Sequence, residues 1–376
     1  MSKHLNYGII GCGMMGQEHL RNIALLDDTA VVGIVEPDPG MRAEAKKLAP
    51  DAIFYDTIEN LLADDRLDCL VIVSPNFCHA NQLLEIANSK ALPILVEKPL
   101  FTDPSDLARL KDFEEKYPAP VWVAMEYRYM PPVAALIENA HRDTGGIDML
   151  TIREHRFAFL PKIGDWNRFN VNTGGTLVEK CCHFFDLMRL ILKSDPVRVM
   201  ASAGQGHNHK EERYDGAAPD IWDHGYVIIE FASGSRAMLE LCMFAEGSRY
   251  QEEISAVGVT GKIECQVPGP TRFWAKELGA PPVAQLTVSP RNPAGPKSIE
   301  IPVDPELLEA GDHNGSTFYQ HQKFAEVVRG NGAVEVNMHD GMMAVVMGMA
   351  AQHAAISHET VLISDILDGK ITTPVI

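Results

Sequence analysis

Apolar residues follow two different patterns along the chain. Up to about residue 125, short uninterrupted apolar runs alternate with amphipathic segments whose apolar residues recur at helical spacing. The runs cover residues 7–10, 30–35, 67–73, 94–96 and 121–125. Strands that are buried on both faces and separated by helices are typical of a parallel sheet. The pattern therefore predicts an α/β domain over residues 1–126.

Beyond residue 145 the pattern changes to consecutive β-rich runs. They cover residues 148–159, 197–203, 225–231, 236–244, 254–259 and 263–267. The turn signal Ser233-Gly234 between two of them indicates antiparallel neighbours. Helices are predicted near 176–192, 317–329 and 341–357, and the proline- and glycine-rich segment 269–296 is predicted to form loops between edge strands. Residues 127–376 are thus expected to form a second, α+β domain.

A glycine-rich turn follows the first apolar run and opens a helix. Its sequence fits Gly-x-Gly-x-x-Gly, the fingerprint of dinucleotide-binding Rossmann domains. Gly11 is predicted to permit the tight turn, Gly13 to let the backbone approach a pyrophosphate, and Gly16 to bring the helix close to the strand. The helix N-terminus would face the phosphates with unpaired N–H groups. The cofactor contacts predicted here are Gly11, Cys12, Gly13, Met14, Met15 and Gly16.

Glu36 stands at the end of the second apolar run, 20 residues after Gly16. A carboxylate there accepts hydrogen bonds from the adenosine ribose hydroxyls and repels a 2′-phosphate. The residues that follow are Pro37, Asp38 and Pro39, so no arginine comes directly after it. The sequence therefore favours NAD over NADP, although a lysine or arginine brought near by folding would offset Glu36.

Composition restricts the classes of partner. Lys and Arg total 33 against 51 Asp and Glu, for a net charge of −18. An acidic surface disfavours nucleic acid and anionic membranes, which need basic patches. No apolar run approaches the roughly 18 uncharged residues of a membrane span, and no signal-peptide pattern begins the chain. A cytoplasmic protein without nucleic-acid or membrane partners is expected.

The seven cysteines are scattered through apolar segments and form no Cys-x-x-Cys pair. Buried, reduced thiols are the expected interpretation. A metal site made by Cys181, Cys182 and His183 is the alternative, but adjacent helical cysteines point about 100° apart and rarely bind one ion. No metal is predicted.

Two further segments follow strands of the first domain. Ser74-Pro75-Asn76 and His79 come after the run that ends at Val73, and Glu97 with Lys98 comes after the run that ends at Val96. Ligands of open α/β sheets bind outside the carboxyl ends of strands, so these side chains are predicted to line the cofactor crevice. Lys98 could also stabilise negative charge on a reacting oxygen. An ordinary turn with a solvated lysine is the alternative.

Chemistry in the second domain is predicted on the helix 176–192. Glu179 and His183 lie four residues apart and would share a helix face, an arrangement that suits a general base. Asp186 could contact the same ring. Alternatively, Thr176 and Glu179 form a capping box and His183 is a core histidine.

A loop from Arg153 to Asn172 is basic and aromatic, against the average of the chain. Donors combined with an aromatic face hold hydroxyl-rich ligands, although an exposed loop or a subunit contact would have the same composition. The substrate contacts predicted here are Arg156, Trp166, Arg168 and Asn170.

Taken together, these segments resemble the glucose-fructose oxidoreductase, inositol dehydrogenase and MocA family (Gfo/Idh/MocA) over nearly the whole chain. The matching motifs are Gly11-x-Gly13-x-x-Gly16, Ser74-Pro75-Asn76-x-x-His79, Glu97-Lys98-Pro99, Tyr127-Arg128-Tyr129 and Gly174-Gly175-x-x-x-Glu179-x-x-x-His183-x-x-Asp186.

The resemblance implies a Rossmann domain followed by a domain built on a large, open, mostly antiparallel sheet that commonly mediates homodimers or homotetramers. It implies that Lys98 and His183 flank the reacting carbon, with His183 as acid/base, and that Tyr127 and Arg128 lie near the substrate or the nicotinamide. The family usually has aspartate where this chain has Glu179, which keeps the carboxylate with one extra methylene, and Glu179 is expected to be a catalytic partner and substrate contact.

The function expected from the sequence is an NAD-dependent dehydrogenase that oxidises a secondary hydroxyl of a cyclic polyol or sugar. Two alternatives stay open at this point. One is a glycosidase that uses bound NAD for transient oxidation, and the other is a nucleotide-sensing protein without turnover.

Overall fold

The computed structural model of the protein describes residues 3–371. Its first domain is a six-stranded, all-parallel sheet in the order β3-β2-β1-β4-β5-β6. The strands are β1 Leu5–Ile10, β2 Thr29–Val35, β3 Ile53–Tyr55, β4 Cys69–Ile72, β5 Ile94–Val96 and β6 Val121–Val123. The helices between them are α1 Met14–Ala24, α2 Pro39–Leu48, α3 Ile58–Leu62, α4 His79–Ala87 and α5 Asp106–Lys116. Strands β4, β5 and β6 are buried along their whole length, as parallel strands covered on both faces must be.

A 3₁₀ turn, Glu126–Tyr129, leads into α6 Pro131–Thr144 and then into the second sheet. This sheet has nine strands in the order β14-β13-β12-β11-β7-β10-β9-β8-β15. They are β7 Met149–His155, β8 Pro196–Gly204, β9 His224–Phe231, β10 Arg236–Cys242, β11 Glu252–Val257, β12 Gly261–Val267, β13 Gln285–Pro290, β14 Lys297–Glu300 and β15 Val361–Leu362. All neighbours are antiparallel except β7 and β10. The predicted fold class is confirmed.

The remaining helices cover one face of this sheet or return to the first domain. They are α7 Asn170–Thr173, α8 Thr176–Glu179, α9 Cys182–Leu192, α10 Pro305–Ala310, α11 Ser316–Val328, α12 Met338–Ser357 and α13 Ile363–Leu367. Helix α11 packs on α1, and α12 packs on β8, α8, α9 and β6. The core is therefore continuous between the two sheets, with Trp122, Phe184 and Phe324 among its largest buried side chains. The domain boundary at residue 126 stays a prediction.

Two predictions about local structure were wrong, and one alternative interpretation is excluded. The segment 269–296 contains strand β13, because its apolar Leu286 packs beneath β12 in register with Cys265. The helix 176–192 is divided into α8 and α9 at Lys180 and Cys181. Thr176 does not cap a helix, since its hydroxyl donates to the Trp222 carbonyl at 2.8 Å.

The cysteines carry no disulfide within the described residues, and five of the seven are buried. Between residues 3 and 371, no helix combines the length and the apolar character needed to cross a membrane.

Candidate active site

The turn between β1 and α1 has the close contacts that its glycines allow. Gly11 has a φ of +94°, and a Cβ at this position would lie 2.7 Å from the Ser74 nitrogen. A Cβ at Gly16 would lie 2.5 Å from the Gly11 oxygen, so glycine is needed for α1 to pack this close to β1. At Gly13 a Cβ would meet no atom within 4 Å. Gly13 thus leaves its backbone open to the cavity beside it.

Glu36 is fixed beside this turn. Its Oε2 accepts a hydrogen bond from the Cys12 amide at 2.5 Å, and its Oε1 accepts one from the Asp38 amide at 2.8 Å. The side chain is 7% exposed and borders the cavity. Each carboxylate oxygen keeps further acceptor capacity, as ribose hydroxyls require.

The turn and Glu36 border a cavity of about 810 Å³ along the carboxyl ends of the parallel strands. Ten of the predicted cofactor residues line it: Gly11, Gly13, Met14, Met15, Glu36, Ser74, Pro75, Asn76, Glu97 and Lys98. The volume and the open backbone at Gly13 fit a dinucleotide. Lys162 and Trp166 of the basic loop complete the wall on the side of the second domain.

Two predicted cofactor residues lie behind this wall. Cys12 is fully buried and contributes its amide to Glu36. His79 is 1% exposed, with ring nitrogens 2.8 Å from the Pro99 oxygen and 3.0 Å from the Ser74 oxygen. Burial lowers the pKa of His79. These contacts make His79 a support for two cavity loops.

Arg128, also predicted to contact the cofactor, is engaged elsewhere and does not line the cavity. Its guanidinium forms a two-pronged ion pair with Asp186, in which Nε lies 2.6 Å from Oδ2. It also donates to the Glu335 carbonyl at 2.7 Å and lies 3.4 Å from Asp340. Asp186 therefore pairs with Arg128. The contact between Asp186 and the His183 ring that the sequence suggested is absent from the hydrogen bonds of the described residues. The contacts assign Arg128 to holding the 3₁₀ turn against α9 and α12.

The break between α8 and α9 also separates Glu179 from His183. No hydrogen bond or ion pair in the described part of the chain joins the two side chains, so the predicted pairing across one helix face is wrong. The i,i+4 rule holds only within a continuous helix. Glu179 closes α8, and His183 lies in the first turn of α9.

His183 is 2% exposed and lies parallel to the Tyr127 ring, with 4.0 Å between ring centroids and 7° between the planes. Among residues 3–371, its Nδ1 has no hydrogen-bond partner. Burial, followed by the charges of Lys98 and Lys180, holds the pKa of His183 well below its ordinary value. The ring is therefore neutral at physiological pH and able to accept a proton.

Lys98 connects the two domains at the cavity. Its Nζ donates to the backbone carbonyl of Glu179 at 3.2 Å. The Glu179 carboxylate lies 3.8 Å from Lys162 Nζ, and its Oε2 is buried without a partner. Burial raises the pKa of Glu179 and lowers that of Lys162. Glu179, whose carboxylate has an unpartnered oxygen, thus lies close to Lys98 and to Lys162 of the cavity wall.

Glu97 connects the end of β5, which carries Lys98, to helix α1. Its Oε2 accepts from the Lys98 amide at 3.0 Å, and its Oε1 lies 3.0 Å from His19 Nε2 on α1. The other ring nitrogen of His19 lies 2.7 Å from His321 Nε2 on α11. Burial opposes ionisation of Glu97, but the His19 contact lowers its pKa.

The basic loop divides into two groups. Trp166 lies on the cavity wall, where Lys162 Nζ sits 4.5 Å from the centre of its ring. Arg168 is paired with Glu212 at 2.8 Å, and Asn170 bonds to the backbone of Asp220. Arg156 lies 3.6 Å from Glu154. These last three were predicted to contact substrate, but they do not line the cavity.

Sequence reasoning passed over two lysines of this region. Lys162 was noticed only as part of a basic loop, although it faces both the cavity and Glu179. Lys180 has no role among the sequence-based predictions, although it lies buried against Tyr127. A charged residue inside an otherwise apolar stretch was the available signal in the second case.

Side chains of the types that bind metals come close together near the start of α11. In the part of the chain from residue 3 to 371, one such group brings three ligand atoms within 4.8 Å: Glu18, Glu126 and His313. It is already an ion pair, with His313 Nδ1 2.8 Å from Glu18 Oε1. Cys181 and Cys182 form no such group with His183, since Cys182 donates to the Glu179 carbonyl and His183 stacks on Tyr127.

Fold and cavity together define a two-domain dinucleotide-binding protein. The chain belongs to the Gfo/Idh/MocA oxidoreductase family: residues 5–125 match its NAD-binding Rossmann fold, and residues 140–363 match its C-terminal alpha/beta domain. NAD is accordingly the cofactor of the first domain. The resemblance seen in the sequence and the choice of cofactor are both confirmed.

Named relatives agree with this placement. The chain is 31% identical to an inositol 2-dehydrogenase of Corynebacterium glutamicum strain R over 53% of its own length and 57% of that protein's length. It is 25% identical to an inositol 2-dehydrogenase of Saccharopolyspora erythraea over 75% of this chain and 79% of that one. The match thus spans little more than half of the Corynebacterium relative.

A solved structure shows the same fold at low identity. Levoglucosan dehydrogenase in complex with NADH and L-sorbose superimposes with a TM-score of 0.79, covering 96% of this chain and 100% of that chain at 19% identity.

Proposed function

We propose that the protein is an NAD-dependent dehydrogenase that oxidises a secondary hydroxyl of a cyclic polyol or sugar. The observation that carries this proposal is the contact between Lys98, on the wall of the dinucleotide cavity, and the carbonyl of Glu179, in the segment that leads to His183. It places a cationic donor of the cavity wall beside the segment that leads to the neutral imidazole, whose pKa the Lys98 charge helps to lower. The names of the inositol 2-dehydrogenase relatives support the class of substrate.

Bound NAD supplies a hydride acceptor for the hydrogen on the hydroxyl-bearing carbon. Neutral His183 takes the proton of that hydroxyl as the carbonyl forms, so the C–H and O–H bonds are replaced by C=O and a protonated imidazole. Lys98 donates to the same oxygen and stabilises negative charge that develops there. The buried Glu179 carboxylate, with its unpartnered Oε2, accepts a hydrogen bond from a neighbouring hydroxyl.

Substrate recognition is assigned to the cavity wall contributed by the second domain. Lys162 offers ammonium donors and Trp166 an aromatic face, the combination that suits a ring bearing several hydroxyls.

The direct test follows NADH absorbance with a panel of inositols, aldoses, uronates and anhydrosugars, with NAD and separately with NADP. Turnover is expected with NAD and at least one cyclic polyol or sugar. Lys98→Met is expected to lower kcat/KM by about 100-fold or more, because it removes a preorganised donor to the reacting oxygen. Lys90→Met, which removes a half-exposed lysine remote from the cavity, serves as the control. If the protein binds NAD but forms no NADH with any compound of the panel, the proposal is contradicted. Full activity of Lys98→Met would contradict the role of Lys98 as a donor to the reacting oxygen.

Self-association through the nine-stranded sheet is part of the proposal. The alternation along β9 buries one face and leaves Tyr226 and Ile228 of the other face 55% and 42% exposed. Exposed apolar residues in a row on one sheet face are typical of an interface between subunits. Sedimentation of the wild type and of Tyr226→Lys/Ile228→Lys tests this, with a homodimer or homotetramer expected and dissociation expected in the variant. A monomeric wild type would contradict it.

A further inference from the structure

Lys180 is a buried cation that the reaction outlined above does not use. Its side chain is 5% exposed, and its Nζ lies 2.5 Å from the Tyr127 hydroxyl and 2.8 Å from Glu154 Oε1. Glu154 is fully buried on β7, directly opposite the buried Glu252 of β11. An ammonium held in such surroundings costs several kcal/mol of desolvation, which its partners must offset.

Tyr127 connects this cation to the proposed acid/base. Its hydroxyl is held by Lys180, and its ring forms the face on which the His183 imidazole lies. The same ring is flanked by Phe184 in an edge contact, with 5.8 Å between centroids. The Lys180 contact therefore fixes the hydroxyl end of Tyr127, whereas packing against Phe184 and His183 restricts the plane of its ring.

The charges that face these groups come from several elements. Burial is the main cause that lowers the pKa of His183, and Lys98 after β5, Lys180, His313 before α11 and Arg156 after β7 lower it further.

Lys180 itself is subject to opposing charges. Burial and Arg156 lower its pKa, Glu154 and Glu252 raise it, Lys98 lowers it, and the result is about 8. Lys180 is therefore still a cation at neutral pH.

We propose that Lys180 is a positioning residue for the reaction, which holds Tyr127 beneath the His183 ring and places a positive charge near the imidazole. The inference rests on the proposed function, but the protonation state of the imidazole can be measured without turnover. Lys180 touches neither cavity nor reacting atoms, so it acts through Tyr127 and through its charge.

The test is an NMR titration of the full chain labelled with ¹⁵N-histidine, with and without NAD, in which the His183 signal is assigned by its loss in His183→Asn. In the wild type His183 is expected to stay neutral to well below pH 6.5. In Lys180→Met its titration midpoint is expected to rise by about one pH unit, because a nearby positive charge has gone. Lys180→Arg should restore the wild-type behaviour. Lys370→Met, which removes a surface lysine paired with Asp365, should change nothing.

Lys180→Met leaves the Glu154 carboxylate buried without its cation, so the double variant Lys180→Met/Glu154→Gln covers the case in which the single variant does not fold. The midpoint should rise there too, since Glu154 is not among the main charges acting on His183. The acidic limb of kcat/KM against pH should move by the same amount as the NMR midpoint. An unchanged His183 titration in a folded variant overturns the inference, whereas a shifted titration without any dehydrogenase activity would overturn the proposed function alone.

Discussion

The imidazole of His183 and the phenol ring of Tyr127 lie parallel, 4.0 Å apart between ring centroids. Tyr127 belongs to the 3₁₀ turn between the two domains, and His183 belongs to the first turn of α9. The residue proposed to move the proton is thus oriented by the segment that joins the two domains. Stacking holds the ring without occupying its nitrogens, and Nδ1 is left without a partner.

Replacing this imidazole should affect chemistry far more than binding. His183→Asn is expected to lower kcat by about 100- to 10,000-fold, the range usual for loss of a general base. The dissociation constant for NAD should change little, since His183 does not line the dinucleotide cavity. Steady-state kinetics and NAD titration by fluorescence measure the two effects. A loss of NAD binding as large as the loss of kcat would show that the substitution disturbs the fold of the site.

Glu36 should control the choice between NAD and NADP. Glu36→Gln removes the charge that repels a 2′-phosphate while it keeps an acceptor for the Cys12 amide. The ratio of kcat/KM for NAD to that for NADP is expected to fall by about tenfold or more. Glu44→Gln, a change on the exposed surface of α2, provides the matched loss of one charge. The prediction fails if both variants keep the wild-type ratio.

Arg128 should matter for stability and little for the cofactor. Arg128→Met leaves Asp186 fully buried and uncompensated, which is expected to cost about 3–5 kcal/mol in the free energy of unfolding. Because Arg128 lies outside the cavity, the NAD dissociation constant of the folded variant should stay within a few-fold of wild type. Urea unfolding and NAD titration distinguish the two roles. A stable variant with weakened NAD binding would indicate instead that Arg128 contacts the cofactor.

The ion pair between Glu18 and His313 should make stability depend on pH. Although burial disfavours the charged imidazolium, Glu18 and Glu126 raise the pKa of His313 from 6.5 to about 9. A raised pKa in the folded state means that the stabilisation is complete below pH 6.5 and is lost as the pH rises to about 9. Burial opposes ionisation of Glu18, but His313 lowers its pKa from 4.5 to about 2, so the contribution is also lost as the pH falls from 4.5 toward 2.

His313→Gln should therefore destabilise the protein by about 1–3 kcal/mol between pH 5 and 6.5, and by much less at pH 9. Urea unfolding of both proteins at several pH values measures the difference. A difference that grows toward pH 9 would contradict this sign.

The features that could be predicted from the sequence are those that local patterns determine. The glycine turn and Glu36 belong to one continuous βαβ unit, whose spacing already dictates which residues meet. The two sheets followed from the change in hydrophobic pattern, although β13 was hidden in a segment rich in proline and glycine.

Side-chain partners far apart in sequence were not predictable in this way. The pairing of Arg128 with Asp186 joins residues 58 positions apart, and it removed both from the site that the sequence assigned to them. The division of the helix at Lys180 likewise coincides with contacts to the distant residues Tyr127 and Glu154, which the helical pattern of the segment does not reveal. Sequence reasoning found the motif residues, and folding decided which of them face the cavity.

In the proposed reaction a hydride passes from a hydroxyl-bearing carbon of a polyol or sugar to NAD. Mass spectrometry tests this transfer on the NADH formed from the best substrate of the panel, after that substrate has been deuterated on its ring carbons. NADH heavier by one deuterium is expected, formed by the wild type and suppressed in His183→Asn. NADH that carries no deuterium, or equal amounts from both proteins, would contradict it.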